Sequence, residues 1–178
     1  MKGRAKVAVA GALVTAASVA GAVAVAGGGP SFHERLSGYE EDPLVLSTTG
    51  SGEFHAEVDA KGQQIAYQLR YADLEGAVTQ AHIHLGGRHQ SGGIIAFLCS
   101  TLGNGPEGTQ ACPAAPATIS GTITAADVVG PTAQGIDAGE FGELARAMRV
   151  GVTYANVHTS KYTGGEIRAQ LTSRRHKR

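Results

Sequence analysis

The sequence predicts a mainly β protein: an antiparallel Greek-key-like β-sandwich or barrel carrying one short α-helix. Three observations lead there. Apolar and polar residues alternate with a period of two in one stretch after another. Glycine is abundant, at 26 of 178 residues, and breaks the chain between those stretches. A single segment carries helical spacing instead. A period of two puts alternate side chains on opposite faces of a strand, with the apolar face turned to a core. Short strands, Gly-rich turns and a lone helix fit a sandwich or barrel.

The elements follow in order. In SGEFHAEVDA, Phe54, Ala56 and Val58 alternate with Glu53, His55, Glu57 and Asp59. In QQIAYQLRYAD, Ile65, Tyr67, Leu69 and Tyr71 share one face, while Gln64, Gln68 and Arg70 take the other. Ala60, Lys61 and Gly62 between them suggest a hairpin turn. TQAHIHLG and IIAFLC read as two more strands, separated by the polar GRHQSGG. ATISGTIT is another, and VTYANVHT and GGEIRAQL are the last two, joined by SKYTG. The last strand sets Glu166, Arg168 and Gln170 against Ile167, Ala169 and Leu171, so the polar three are expected to be exposed. In IDAGEFGELARAMRVG, Phe141, Leu144, Ala145 and Met148 follow helical spacing. Asp137 precedes Glu140 by three positions, as in a capping arrangement, and Gly151 ends the run. These features predict a helix over about 138–149, with TAADV upstream as a helical turn.

Outside this pattern lie the two ends. Lys2, Arg4 and Lys6 precede an uncharged run from Val7 to Ala26 that closes on AVA, the small-x-small pattern of a cleavage site. Residues 1–26 therefore read as a secretory signal peptide, 27–32 as a linker, 33–172 as the β domain and 173–178 as a basic tail. The apolar run is also about long enough to serve as an uncleaved anchor. Either way the remainder is expected to be secreted or held at the cell envelope, with no membrane span after cleavage. Removing the leader leaves 12 Lys and Arg against 15 Asp and Glu, a net charge of −3, and four of those cations fall in SRRHKR. No basic stripe remains for nucleic acid. Cys99 and Cys112 are the two cysteines, and in an exported chain they are expected to form a disulfide around STLGNGPEGTQA.

The sharpest chemical signal is AHIHLG. On a strand, His82 and His84 project to one face, roughly 6.5–7 Å apart along the chain, with Ala81, Ile83 and Leu85 on the other. Two imidazoles so placed can share an ion, and His158 in NVHT offers a third. Three histidines around Zn leave a fourth position open, and imidazole also suits Cu. His89 in GGRHQSGG and Glu166 are accessory candidates. The same histidines also suit a hydrogen-bonded polar layer with Glu166, Thr159 or Asn156 that needs no ion, or a pH-sensitive element. His33, His55 and His176 read as isolated polar residues, and Glu40, Glu41 and Asp42 as a solvated turn. Lys161 and Arg168 near Glu166 read as a surface ion pair, worth under about 1 kcal/mol. There is no GxSxG elbow, and GGRHQSGG lacks the lysine and context of a phosphate cradle.

LSGYEEDP, AHIHLG, SGTITAADV and YANVHTSKYTGGEIRAQL, in that order, resemble the CHRD domain, the module repeated in chordin and found singly in exported bacterial proteins. The resemblance covers about residues 33–172, and AHIH with NVHT and GEIRAQL carry it. Tyr162–Thr163 stand where family members commonly have Pro, and the loop 100–111 looks like a local insertion. The resemblance implies an extracellular β-rich module with a binding or cell-surface structural role toward an unidentified extracellular or envelope ligand. The runner-up reading is a His-liganded copper or zinc metalloprotein with superoxide-dismutase-like oxidoreductase activity. The residues favour binding over catalysis.

Overall fold

The computed structural model describes residues 28–174; the expected signal peptide, 1–26, and residues 175–178 of the basic tail lie outside the described residues. Strands β1 (Ser31–Ser37), β2 (Ser51–Val58), β3 (Ile65–Ala72), β4 (Val78–Leu85), β5 (Ile94–Ser100) and β6 (Ala117–Ile123) precede helix α1 (Phe141–Val150). Strands β7 (Thr153–Thr159), β8 (Ile167–Gln170) and β9 (Ser173–Arg174) follow it. All pair antiparallel in one sheet of order β5-β4-β7-β8-β1-β2-β3-β6, with β9 beside β1.

The sheet curls into a nearly closed barrel, so one wall replaces the two layers of a sandwich. Its end strands β5 and β6 face each other without a shared ladder. The seam between them is filled by other groups. Val129 donates its N–H to Ile95 O (2.8 Å), and Ala96 bridges Val128. The Gln110 amide donates to Leu98 O on β5 and to Ser120 O on β6, each at 3.2 Å. The Tyr67 hydroxyl donates to Leu98 O (2.8 Å) from inside. Gln110 is held there because Cys112 is bonded to Cys99 on β5.

Inward faces carry the apolar sets that the period of two predicted: Phe54 and Val58, Ile65 and Leu69, Ala81 and Ile83, Val157, Ile167 and Leu171 are all buried in one core. Phe32 and Leu36 on β1 join them. This strand is absent from the sequence expectation and includes Ser31 and Phe32 of the expected linker. Its alternation is broken by Glu34, whose carboxylate accepts the Thr172 N–H at 3.2 Å. Ser173 and Arg174, expected in the tail, likewise pair with β1.

The helix begins later than expected. Gly139 sits at φ +88°, a left-handed conformation that keeps 138–140 out of the helix. The Glu140 carboxylate still accepts the Asp137 N–H at 2.8 Å, one half of the expected capping arrangement. At the other end Gly151 is left-handed at φ +78°, and Gly151 and Val152 donate to Met148 O and Ala147 O, a Schellman ending. TAADV contains the 3-10 turn Ala125–Asp127, with the Asp127 carboxylate taking the Thr124 N–H and hydroxyl, both at 2.8 Å.

Candidate functional site

Strands β4, β7 and β8 lie side by side, so their outward residues form one continuous polar face. His82 stands opposite Asn156, His84 opposite Tyr154, Asn156 opposite Arg168 and Tyr154 opposite Gln170. An outward face of a barrel is ordinarily wet, and the sequence reading expected Glu166, Arg168 and Gln170 to be exposed. The structure corrects this: Glu166 is 0% exposed, Arg168 2% and Gln170 7%. The reason is a roof of loops. Arg168 donates to Gly87 O and Gln90 O (both 3.0 Å), and Gln170 donates to Gly86 O (3.0 Å) and Gly151 O (2.8 Å).

Under that roof the three histidines converge. One ligand atom from each of His82, His84 and His158 lies within 4.8 Å of the other two. All three rings are buried, at 1%, 7% and 8% exposure. His84 Nδ1 is 2.9 Å from Gly92 O, and His158 Nδ1 is 3.0 Å from Thr163 O. A carbonyl only accepts, so both rings carry their proton on Nδ1 and leave a lone pair on Nε2. His82 Nδ1 is 3.2 Å from His158 Nε2, so it donates to that lone pair. The Nε2 atoms of His82 and His84 then have no hydrogen-bond partner, although both are buried. Burial lowers all three pKa values, His82 to about 2 and His84 to about 4, and the imidazoles are neutral at ordinary pH.

Around the cluster stands a stack of rings. Tyr154 lies parallel to His84, centroids 4.8 Å apart and planes within 4°, and the Arg168 guanidinium covers its other face at 3.5 Å. The Tyr154 hydroxyl accepts the Gly92 N–H at 3.1 Å, which steadies the same residue whose carbonyl orients His84. Phe97 meets His82 edge-on at 4.5 Å. Beyond Asn156 lies Glu41, which the sequence reading placed in a solvated turn. It is 6% exposed, and burial pushes its pKa up to about 8 against the lowering influence of Arg168. Gly165 supports it from below: a Cβ there would sit 2.7 and 2.8 Å from the Glu41 carboxylate oxygens.

The accessory candidates fall elsewhere. His89 is exposed at a loop tip, at φ +60°. Both Glu166 oxygens are engaged by protein donors, the Thr48 hydroxyl, the Glu75 N–H and the Thr159 hydroxyl, each at 2.7 Å. Glu166 therefore ties β8 to the 48–50 and 74–76 turns. The expected surface pair among Lys161, Arg168 and Glu166 is not formed; Lys161 pairs with Glu75, and Arg168 has its stacked place over Tyr154. Asn156, expected as a partner in the polar layer, does stand beside the cluster, opposite His82. Tyr154, Arg168 and Glu41 were missed by sequence reasoning. Tyr154 carried a usable signal, since TYANVHT puts it on the His158 face. Glu41 carried none.

The family model of the CHRD domain matches residues 32–171. No curated protein and no solved structure matches the chain.

Proposed function

The chain belongs to the CHRD domain family, a binding or structural module, and on that premise we propose that it is an exported binding module whose roofed polar face holds one zinc or copper ion on His82, His84 and His158. The observation that carries this reading is the pair of Nδ1–H bonds to Gly92 O and Thr163 O. Backbone carbonyls that orient imidazoles and fix their tautomer are the outer shell that metal sites require. Two of the rings also leave buried Nε2 lone pairs without a proton donor, and such atoms call for an explanation. A divalent ion would supply one, and would serve as a fixed positive charge under the roof loops. Neutral imidazoles need lose no proton to bind it, and His158 would offer its Nε2 by giving up the bond from His82 Nδ1–H.

The module's partner is an extracellular or envelope ligand, in keeping with the leader read in residues 1–26. Among the described residues no helix is long and apolar enough to cross a membrane. The superoxide-dismutase-like alternative gains no support from the ligand set, in which His82, His84 and His158 are the one group of three or more metal-ligand residues brought together among the described residues.

Elemental analysis of tag-free protein, offered zinc and copper and then desalted, tests the reading. One retained equivalent is expected, absent from His82→Ala and His158→Ala. A folded wild-type protein that retains neither metal would identify the cluster as a hydrogen-bonded polar layer and end the metal proposal.

A further inference from the structure

An ion on the three histidines would satisfy the Nε2 atoms of His82 and His84. It would not satisfy the two amide oxygens buried on the same face without a donor, Asn156 Oδ1 and Gln170 Oε1. Gln170 is set apart, because Tyr154 stands between it and His84 in the register. Asn156 faces His82 directly across β4 and β7, and residues so paired have Cβ atoms roughly 4.5–5.5 Å apart. Its amide is held in one orientation. Nδ2 donates to Glu41 Oε1 at 2.8 Å, and a Cβ on Gly165, just before β8, would collide with that nitrogen. The nitrogen thus lies on the β8 side. An amide's acceptor oxygen points away from its donor nitrogen, which turns Oδ1 toward β4 and His82. Arg168 agrees with this placement: it stands opposite Asn156 on β8, yet its Nη2 serves Gly87 O and Gln90 O and leaves Oδ1 unpartnered. Asn156 is 2% exposed, so bulk water does not reach the oxygen freely.

Two facing acceptors need a donor between them. Three imidazoles around zinc leave a fourth position open, and a water there gives its oxygen to the ion and its O–H to a neighbouring acceptor. Resting on the metal reading above, we propose that Asn156 selects the fourth ligand of the ion. Its Oδ1 accepts a hydrogen bond from water, or from another small ligand that carries an O–H or N–H, and it disfavours anions that carry neither. Glu41 holds the amide in the selecting orientation. A site built to hydrogen-bond a donor rejects an analogue that lacks it, because the buried acceptor is then left unpaired.

Cobalt(II) in place of zinc gives the site a visible spectrum, and tag-free protein loaded with it tests the selection. In the wild type, ammonia, which keeps N–H groups when bound, should shift the spectrum at lower concentration than azide, which has no hydrogen to donate. Asn156→Leu should reverse that order, with azide bound ~10-fold tighter or more once no acceptor is stranded, and ammonia bound more weakly. A residue that merely supported the fold would move both ligands in one direction. Asn156→Ala repeats the comparison should leucine disturb the packing, and the wild-type order decides alone if neither variant holds cobalt. A wild-type preference for azide, or an unchanged order in a variant that holds cobalt, would overturn the role of Asn156 and leave the metal reading standing. A folded wild-type protein that takes up no ion would end both.

Discussion

The Asn156 amide donates a 2.8 Å hydrogen bond to the carboxyl of Glu41, a residue 115 positions earlier in the chain. Burial dominates the Glu41 environment and raises its pKa from 4.5 to about 8. Through this group the folded protein binds one more proton than the unfolded chain between those two values, and the stability Glu41 contributes falls as pH rises through that window. Glu41→Gln should flatten this fall and stabilise the protein at pH 8, by on the order of a few kcal/mol at most. Urea unfolding of both proteins across pH 5–9 gives the comparison; parallel curves would show that Glu41 stays ionised beside Arg168.

The histidine cluster acts in the opposite direction. Its pKa values are lowered, so below the usual 6.5 the unfolded chain binds protons that the folded one refuses. Stability then drops with falling pH, by about 1.4 kcal/mol per pH unit for each such proton. Between pH 4.5 and 6.5 Glu41 offsets one of them. Metal-free wild-type protein should accordingly be most stable near pH 6.5, and removing Glu41 should steepen its acid limb. A profile that is flat from pH 4.5 to 6.5 would contradict the burial of these rings.

Gly165 sits at φ +134°, and a Cβ there would press on Glu41 and on the Asn156 amide. Gly165→Ala is expected to lower stability by about 1–3 kcal/mol from overpacking alone, with added backbone strain. It should also disturb the adjoining Thr163 carbonyl that orients His158. Thermal unfolding, with a nitrogen-15 spectrum of the imidazoles, would register both effects.

Cys99 and Cys112 are joined, with Cα atoms 5.0 Å apart. Peptide mass spectrometry without reduction should recover the linked pair. Replacing both by Ala should lower stability by roughly 3 kcal/mol, as expected for a loop of this size. Free thiols at both positions in the non-reduced protein would refute the linkage.

Glu166 receives three short hydrogen bonds from Thr48, Glu75 and Thr159 while fully buried. Glu166→Ala strands those donors, each at a cost of about 1–3 kcal/mol, and is expected to prevent folding at 37 °C. Glu166→Gln should be markedly milder, since its carbonyl keeps two acceptor positions. Equal losses in the two variants would show that volume, not hydrogen bonding, sets the requirement.

Alternation along the strands was enough to say which residues face the core: Phe54, Ile83, Val157 and Ile167 are all inside as their spacing implies. It also put His82, His84 and His158 together. What alternation cannot report is whether the other face is covered. Arg168 and Gln170 looked like an exposed edge because nothing local records that the 86–90 carbonyls come down on them. Glu41 was hidden for the same reason, since its burial depends on Asn156 and Gly165, which are remote in sequence. β1 was lost to a single polar residue, Glu34, on its inward face.

The unclosed seam has a consequence for life at high concentration. Free strand edges are templates for pairing between molecules, and among the described residues the strand order ends on two, β5 and β6. They are turned toward each other, and the Gln110 amide and the Val128–Val129 segment occupy positions that a foreign strand would need. Gln110 is thus a guard against self-assembly as much as a structural tie, and the disulfide that tethers it is a safeguard of solubility in whatever fluid the protein occupies.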